Sequence, residues 1–125
     1  MGAVFAPGTG FVLERNPDTV RAPDAAFVSK YRFPPEGIPS GYFEQAPDLA
    51  VEVTAPGESA GDVKNRAEEW LTAGTGQVWV LDLITRTATV YRRRDFDPRI
   101  LSGDDLLHGD PLVAGFVCTV RDLFA

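Results

Sequence analysis

The stretch Asp48-Leu49-Ala50-Val51-Glu52-Val53-Thr54 constrains the fold more than any other part of the chain. A nearly continuous apolar run of this length is the pattern of a strand covered on both faces, which places it inside a sheet. Side chains alternate across a strand, so Asp48, Ala50, Glu52 and Thr54 share one face while Leu49, Val51 and Val53 share the other. Glu52 breaks the pattern. A carboxylate in the middle of an apolar strand costs several kcal/mol unless it is paired, hydrogen-bonded or bound to a metal. Asp48, beside Pro47 at the strand start, reads as a capping or solvent-facing residue.

The flanking segments supply the rest of a mixed sheet. Phe11 to Glu14 reads as a short strand followed by a turn at Asn16-Pro17-Asp18, and Asp24 to Ser29 reads as a second strand. Residues Phe33 to Gly41 form a loop by their prolines and glycines. After Ala55-Pro56-Gly57, Ser59 can cap a helix, with Asp62 favouring the positive end of its dipole. Val63, Ala67, Trp70 and Leu71 recur at helical spacing, and Gly74 ends the helix. Gln77 to Leu83 and Arg86 to Arg92 read as two strands joined by a tight turn. The remainder suggests short edge strands and a closing turn before Leu123-Phe124. Strand pair, helix, strand pair gives an α/β domain with one main amphipathic helix packed on a mixed sheet.

At 125 residues, one domain spanning 1–125 is the expectation. A lone cysteine, Cys118, excludes a disulfide framework within the chain. The first ten residues lack the basic start of a signal peptide, and no run approaches the ~18 apolar residues of a membrane span, so a cytoplasmic protein that does not cross membranes is expected. The net charge of −6 disfavours nucleic acid as an obvious partner, because backbone binding is driven largely by Lys and Arg. Arg92-Arg93-Arg94 is the densest basic run and reads as a solvated strand end or hairpin tip.

Two acids can meet. If the strand from Asp24 and the strand from Asp48 run antiparallel, Asp24 at the start of one lies across from Glu52 toward the end of the other, within the ~4.5–5.5 Å of cross-strand neighbours. Two close carboxylates repel each other unless a cation or a shared proton intervenes, which suits a hard divalent ion. The alternative is a carboxylate paired with Arg66 or Lys64 for structure alone.

Several segments resemble the consecutive signatures of the Uma-type endonuclease family, within the PD-(D/E)XK nuclease superfamily. They are Val20 to Ser29 with Pro23-Asp24, Ala46 to Val53 with Pro47-Asp48, Trp70-Leu71-Thr72-Ala73-Gly74 and Val78-Trp79-Val80-Leu81-Asp82. The ending is similar in Asp105-Leu106-Leu107, Pro111-Leu112, Gly115-Phe116 and Leu123-Phe124. The resemblance covers nearly the whole chain. It implies a restriction-endonuclease-like fold that hydrolyses DNA phosphodiester bonds, with Asp24 and Glu52 holding Mg²⁺ or Mn²⁺ and a basic residue assisting.

Two departures from the family pattern stand out. The superfamily lysine two residues after the glutamate is Thr54 here, and the family's helix lysine falls on Arg66, with Lys64 two residues earlier. Arginine stabilises phosphate charge but stays protonated and cannot act as a base. Members of the family usually begin with a further strand and helix, which this sequence lacks, so a shortened member or a fragment is expected. The uncovered sheet would then favour a homodimer. These departures also define an alternative, a catalytically impaired nuclease-fold remnant acting as a binding or oligomerisation module. His108 reads as a turn residue, Cys118, Trp70 and Trp79 as core residues.

Overall fold

The computed structural model describes residues 2–5, 11–14, 19–21, 24–29, 46–54, 57–93, 97–109, 113 and 115–124, with side chains described from Asp24 onward except at Ser29. The expected turn at 16–18, the loop at 33–41, the 111–112 pair and Arg94 lie outside these residues.

A six-stranded sheet forms the centre, in the order β1 (Gly2–Phe5), β4 (Ala25–Ser29), β5 (Leu49–Thr54), β6 (Gln77–Asp82), β7 (Thr87–Arg92), β8 (Arg99–Ser102). The apolar run thus occupies a central strand, as its composition requires. β5 pairs antiparallel with β4, with Ala25 opposite Val51 and Phe27 opposite Leu49, and parallel with β6, with Glu52 opposite Val80. The parallel pair needs a crossover, and α1 (Ala60–Thr72) supplies it. β2 (Phe11–Glu14) and β3 (Thr19–Arg21) form a separate antiparallel pair. Both β1 and β3 escaped the sequence reading.

The caps of α1 are those its sequence predicts. Ser59 Oγ accepts from the Asp62 amide at 3.1 Å. At the other end Gly74, at φ 115°, turns the chain, so that the Gly74 amide donates to the Leu71 carbonyl and the Thr75 amide to the Trp70 carbonyl, at 3.1 and 3.0 Å. This is the paired closure of a Schellman motif, and it ties down the backbone of Trp70.

Packing divides the sheet's two faces. Ala26, Val28, Ala50, Val78 and Val80 meet Val63, Ala67 and Trp70 of α1. On the opposite face Phe27, Leu49, Trp79 and Val90 meet Leu107, with Cys118 and Leu123 packed alongside. That second layer comes from β9 (Leu106–His108), β10 (Val117–Thr119) and the single turn α2 (Val120–Leu123). β9 and β10 were expected at the edge of the main sheet; they instead pair with each other and fold under it. An apolar cleft of about 180 Å³, lined in part by Phe27, Val51, Trp79 and Phe116, remains beside this layer. No helix among the described residues is long and apolar enough to cross a membrane.

Candidate active site

Glu52 projects from the central strand toward α1 and is only 8% exposed. The helix answers it with two groups one turn apart, since residues 66 and 70 share a face. Trp70 Nε1 donates to Glu52 Oε1 at 2.9 Å, and Arg66 lies 3.7 Å from Glu52 Oε2. The second spacing is an ion pair and too long for a hydrogen bond. Burial pushes the Glu52 pKa above its ordinary value; the Trp70 hydrogen bond and Arg66 oppose this, while the charges of Asp24 and Glu58 reinforce it.

Asp24 stands one position before β4. Continuing the register of Ala25 with Val51 sets it opposite Glu52. Its amide donates to the Val51 carbonyl at 2.9 Å, and its Oδ2 accepts from the Val53 amide at 2.6 Å. The carboxylate therefore takes the place of a main-chain acceptor at the strand end. Asp24 and Glu52 each have one oxygen fixed by an N–H donor, and among the described residues no hydrogen-bond donor reaches the other oxygen.

Arg66 is held from its far side by Glu58, whose Oε2 meets Nη1 and whose Oε1 lies 3.4 Å from Nη2. This fork-on-fork pair is the geometry for which arginine is suited and lysine is not. Glu58 raises the guanidinium pKa further. Lys64 is turned away: it is 3.9 Å from Glu68, and its side chain is 62% exposed. Of the two candidate cations only Arg66 reaches Glu52.

The sequence left Glu58 unmarked because it precedes the helix, where no periodicity assigns a face. It also assigned Trp70 to the core without its second role. A signal existed there, since a buried indole N–H needs an acceptor and Glu52 was the acid that the strand pattern set among apolar residues. Arg92 lies elsewhere. It pairs with Gln77, three ladder rows from the Glu52–Val80 row and two strands from β5, about 10 Å away in each direction. Asp48, expected as a cap, receives the Gly76 and Gln77 amides on its carbonyl at 2.9 and 3.2 Å.

No group of three or more His, Cys, Asp or Glu side chains among the described residues forms a ready cage for a metal. The donor set of Asp24 and Glu52 is smaller, two carboxylates with one oxygen each left over. It matches the way Mg²⁺ is commonly held, by one or two carboxylates together with water and substrate phosphate.

A mixed sheet with a helix crossing between its parallel strands makes this an α/β domain, and its architecture matches that of a nuclease-fold neighbour. The chain belongs to the Uma2 family, described as "Putative restriction endonuclease", which matches residues 1–121. Among solved structures it is similar to one described as a putative nuclease of DUF820 from Anabaena variabilis ATCC 29413. That match has a TM-score of 0.84 at 22% identity, over 98% of this chain and 68% of that one. A search of curated proteins returns no match.

Proposed function

We propose that the chain is a divalent-metal-dependent nuclease that hydrolyses DNA phosphodiester bonds, with Asp24 and Glu52 as the cation-binding pair and Arg66 as the cationic assistant. One observation carries this reading: two acids at facing register positions, each with one oxygen anchored and the other without a donor among the described residues. A bound Mg²⁺ or Mn²⁺ would supply Lewis acidity toward a phosphoryl oxygen and lower the pKa of a coordinated water. The chain's own part is to hold the two carboxylates on adjacent strands. It also keeps a permanent positive charge beside Glu52, where it can offset the developing charge of a phosphate.

The placement of Lys64 favours a second reading. With Lys64 turned to Glu68 and Thr54 at the superfamily lysine position, the described residues bring no lysine amine to Glu52. A nuclease fold that binds a cation or a partner without cleaving is consistent with that. Mn²⁺ calorimetry on wild type and Glu52→Gln, followed by cleavage assays on plasmid and single-stranded DNA, separates the two. Binding that depends on Glu52, together with cleavage, supports the nuclease; binding without cleavage supports the second reading; no binding in either protein removes the metal site. A cytoplasmic homodimer remains part of the proposal, and sedimentation tests its dimeric state.

A further inference from the structure

We propose that Trp70 is a positioning residue for the metal-binding pair: its indole N–H fixes one oxygen of Glu52 so that the other is presented to the cation. This rests on reading Asp24 and Glu52 as that pair. The contact is 2.9 Å long and joins two buried residues, Trp70 2% and Glu52 8% exposed, where water competes weakly. An indole N–H can only donate, so the carboxylate is the acceptor in every arrangement that keeps the contact. The ring cannot drift, because it is packed among Val63, Ala67 and Val78 and its carbonyl is tied by the helix closure. Arg66 cannot serve as the anchor: it stands 3.7 Å away and its fork is engaged by Glu58. Val53 does for Asp24 what Trp70 does for Glu52. Phe lacks the N–H and part of the indole's volume, whereas an isosteric ring without the N–H differs in the hydrogen bond alone.

The chain has two tryptophans, which supplies an internal control. Trp79 Nε1 donates to Gln77 Oε1 at 3.0 Å and packs on the opposite face of the sheet. Mn²⁺ affinity is to be measured for wild type, Trp70→Phe, Trp79→Phe and Glu52→Gln, with thermal unfolding of each. Partners behind metal ligands typically change affinity roughly 10- to 100-fold. The expected result is a loss in that range for Trp70→Phe and none for Trp79→Phe. The wild-type indole ¹⁵N–¹H signal of Trp70 should also move on Mg²⁺ addition while that of Trp79 stays. If Trp70→Phe does not fold, β-(3-benzothienyl)alanine at position 70 keeps the ring shape and removes only the N–H, with the same loss expected. Wild-type affinity in the N–H-deleted protein, or an equal loss in Trp79→Phe, overturns the positioning role. A wild-type protein that binds no Mn²⁺ overturns the metal site itself, and the positioning role with it.

Discussion

The carboxylate of Asp24 completes a strand: its Oδ2 accepts the Val53 amide at 2.6 Å, where a main-chain carbonyl would otherwise stand. The residue thus has a structural task and a proposed chemical one, and substitutions separate them. Asn retains an acceptor oxygen, whereas Ala leaves the Val53 amide without its partner at a cost of about 1–3 kcal/mol. Asp24→Asn is expected to unfold close to the wild-type temperature yet lose Mn²⁺ binding. Asp24→Ala is expected to lose both, as read by thermal unfolding and calorimetry.

Glu52 gives a pH-dependent prediction. Burial raises its pKa in the folded protein, against the opposing pull of Trp70 and Arg66, so the folded state holds this proton more tightly than the unfolded chain. Its contribution to metal-free stability is therefore fully present below the ordinary glutamate value of 4.5 and is lost as pH rises through the raised folded value. Glu52→Gln removes that loss. Melting temperatures of the two proteins without metal should diverge as pH rises through this window, the Gln variant being higher above it. Saturating Mg²⁺ should reverse the order, because only the carboxylate gains from the cation.

Arg66 and Glu58 are partly exposed, at 34% and 22%, so solvent screening limits what their pairing contributes. A double-mutant cycle on Glu58→Gln and Arg66→Gln should give a coupling of about 1 kcal/mol. Arg66→Gln also removes a positive charge beside Glu52. Mn²⁺ should then bind more tightly, while DNA cleavage falls if the guanidinium assists it.

Lys64→Ala should change stability by no more than about 0.5 kcal/mol and leave Mn²⁺ affinity unaltered, since among the described residues this side chain pairs with Glu68 on the exposed side of α1. A marked loss of metal binding would show that Lys64 reaches the carboxylates in solution.

Much of this was legible in the chain itself. The apolar run of β5, the alternation in β7 and the Ser59 and Gly74 caps located the central sheet and its helix. The anomaly of a buried acid pointed to Glu52. What could not be read was the phase of α1 against the sheet. Lys64 and Arg66 both flank the stripe of Val63, Ala67 and Trp70, and only the packed helix decides which side faces β5. β1 and β3, at four and three residues, are too short to show an alternation, and β1 is defined by its distant partner β4. The β9–β10 pair misled for a related reason. Its apolar residues suited any sheet edge, and the pairing of Leu107 with Cys118 exists only in three dimensions.

The β5–α1–β6 crossover has a kinetic consequence. Glu52 meets Trp70 across 18 residues and Arg66 meets Glu58 across only 8, so both contacts lie inside the β5–α1–β6 unit and close short loops at a small entropic cost. Asp24 reaches Val53 across 29 residues and stands just before β4, outside that unit. From these separations we expect Glu52 to meet its helix partners before Asp24 docks. Mutations that slow the docking of β4 should delay acquisition of metal affinity during refolding without delaying the quenching or burial of the Trp70 ring.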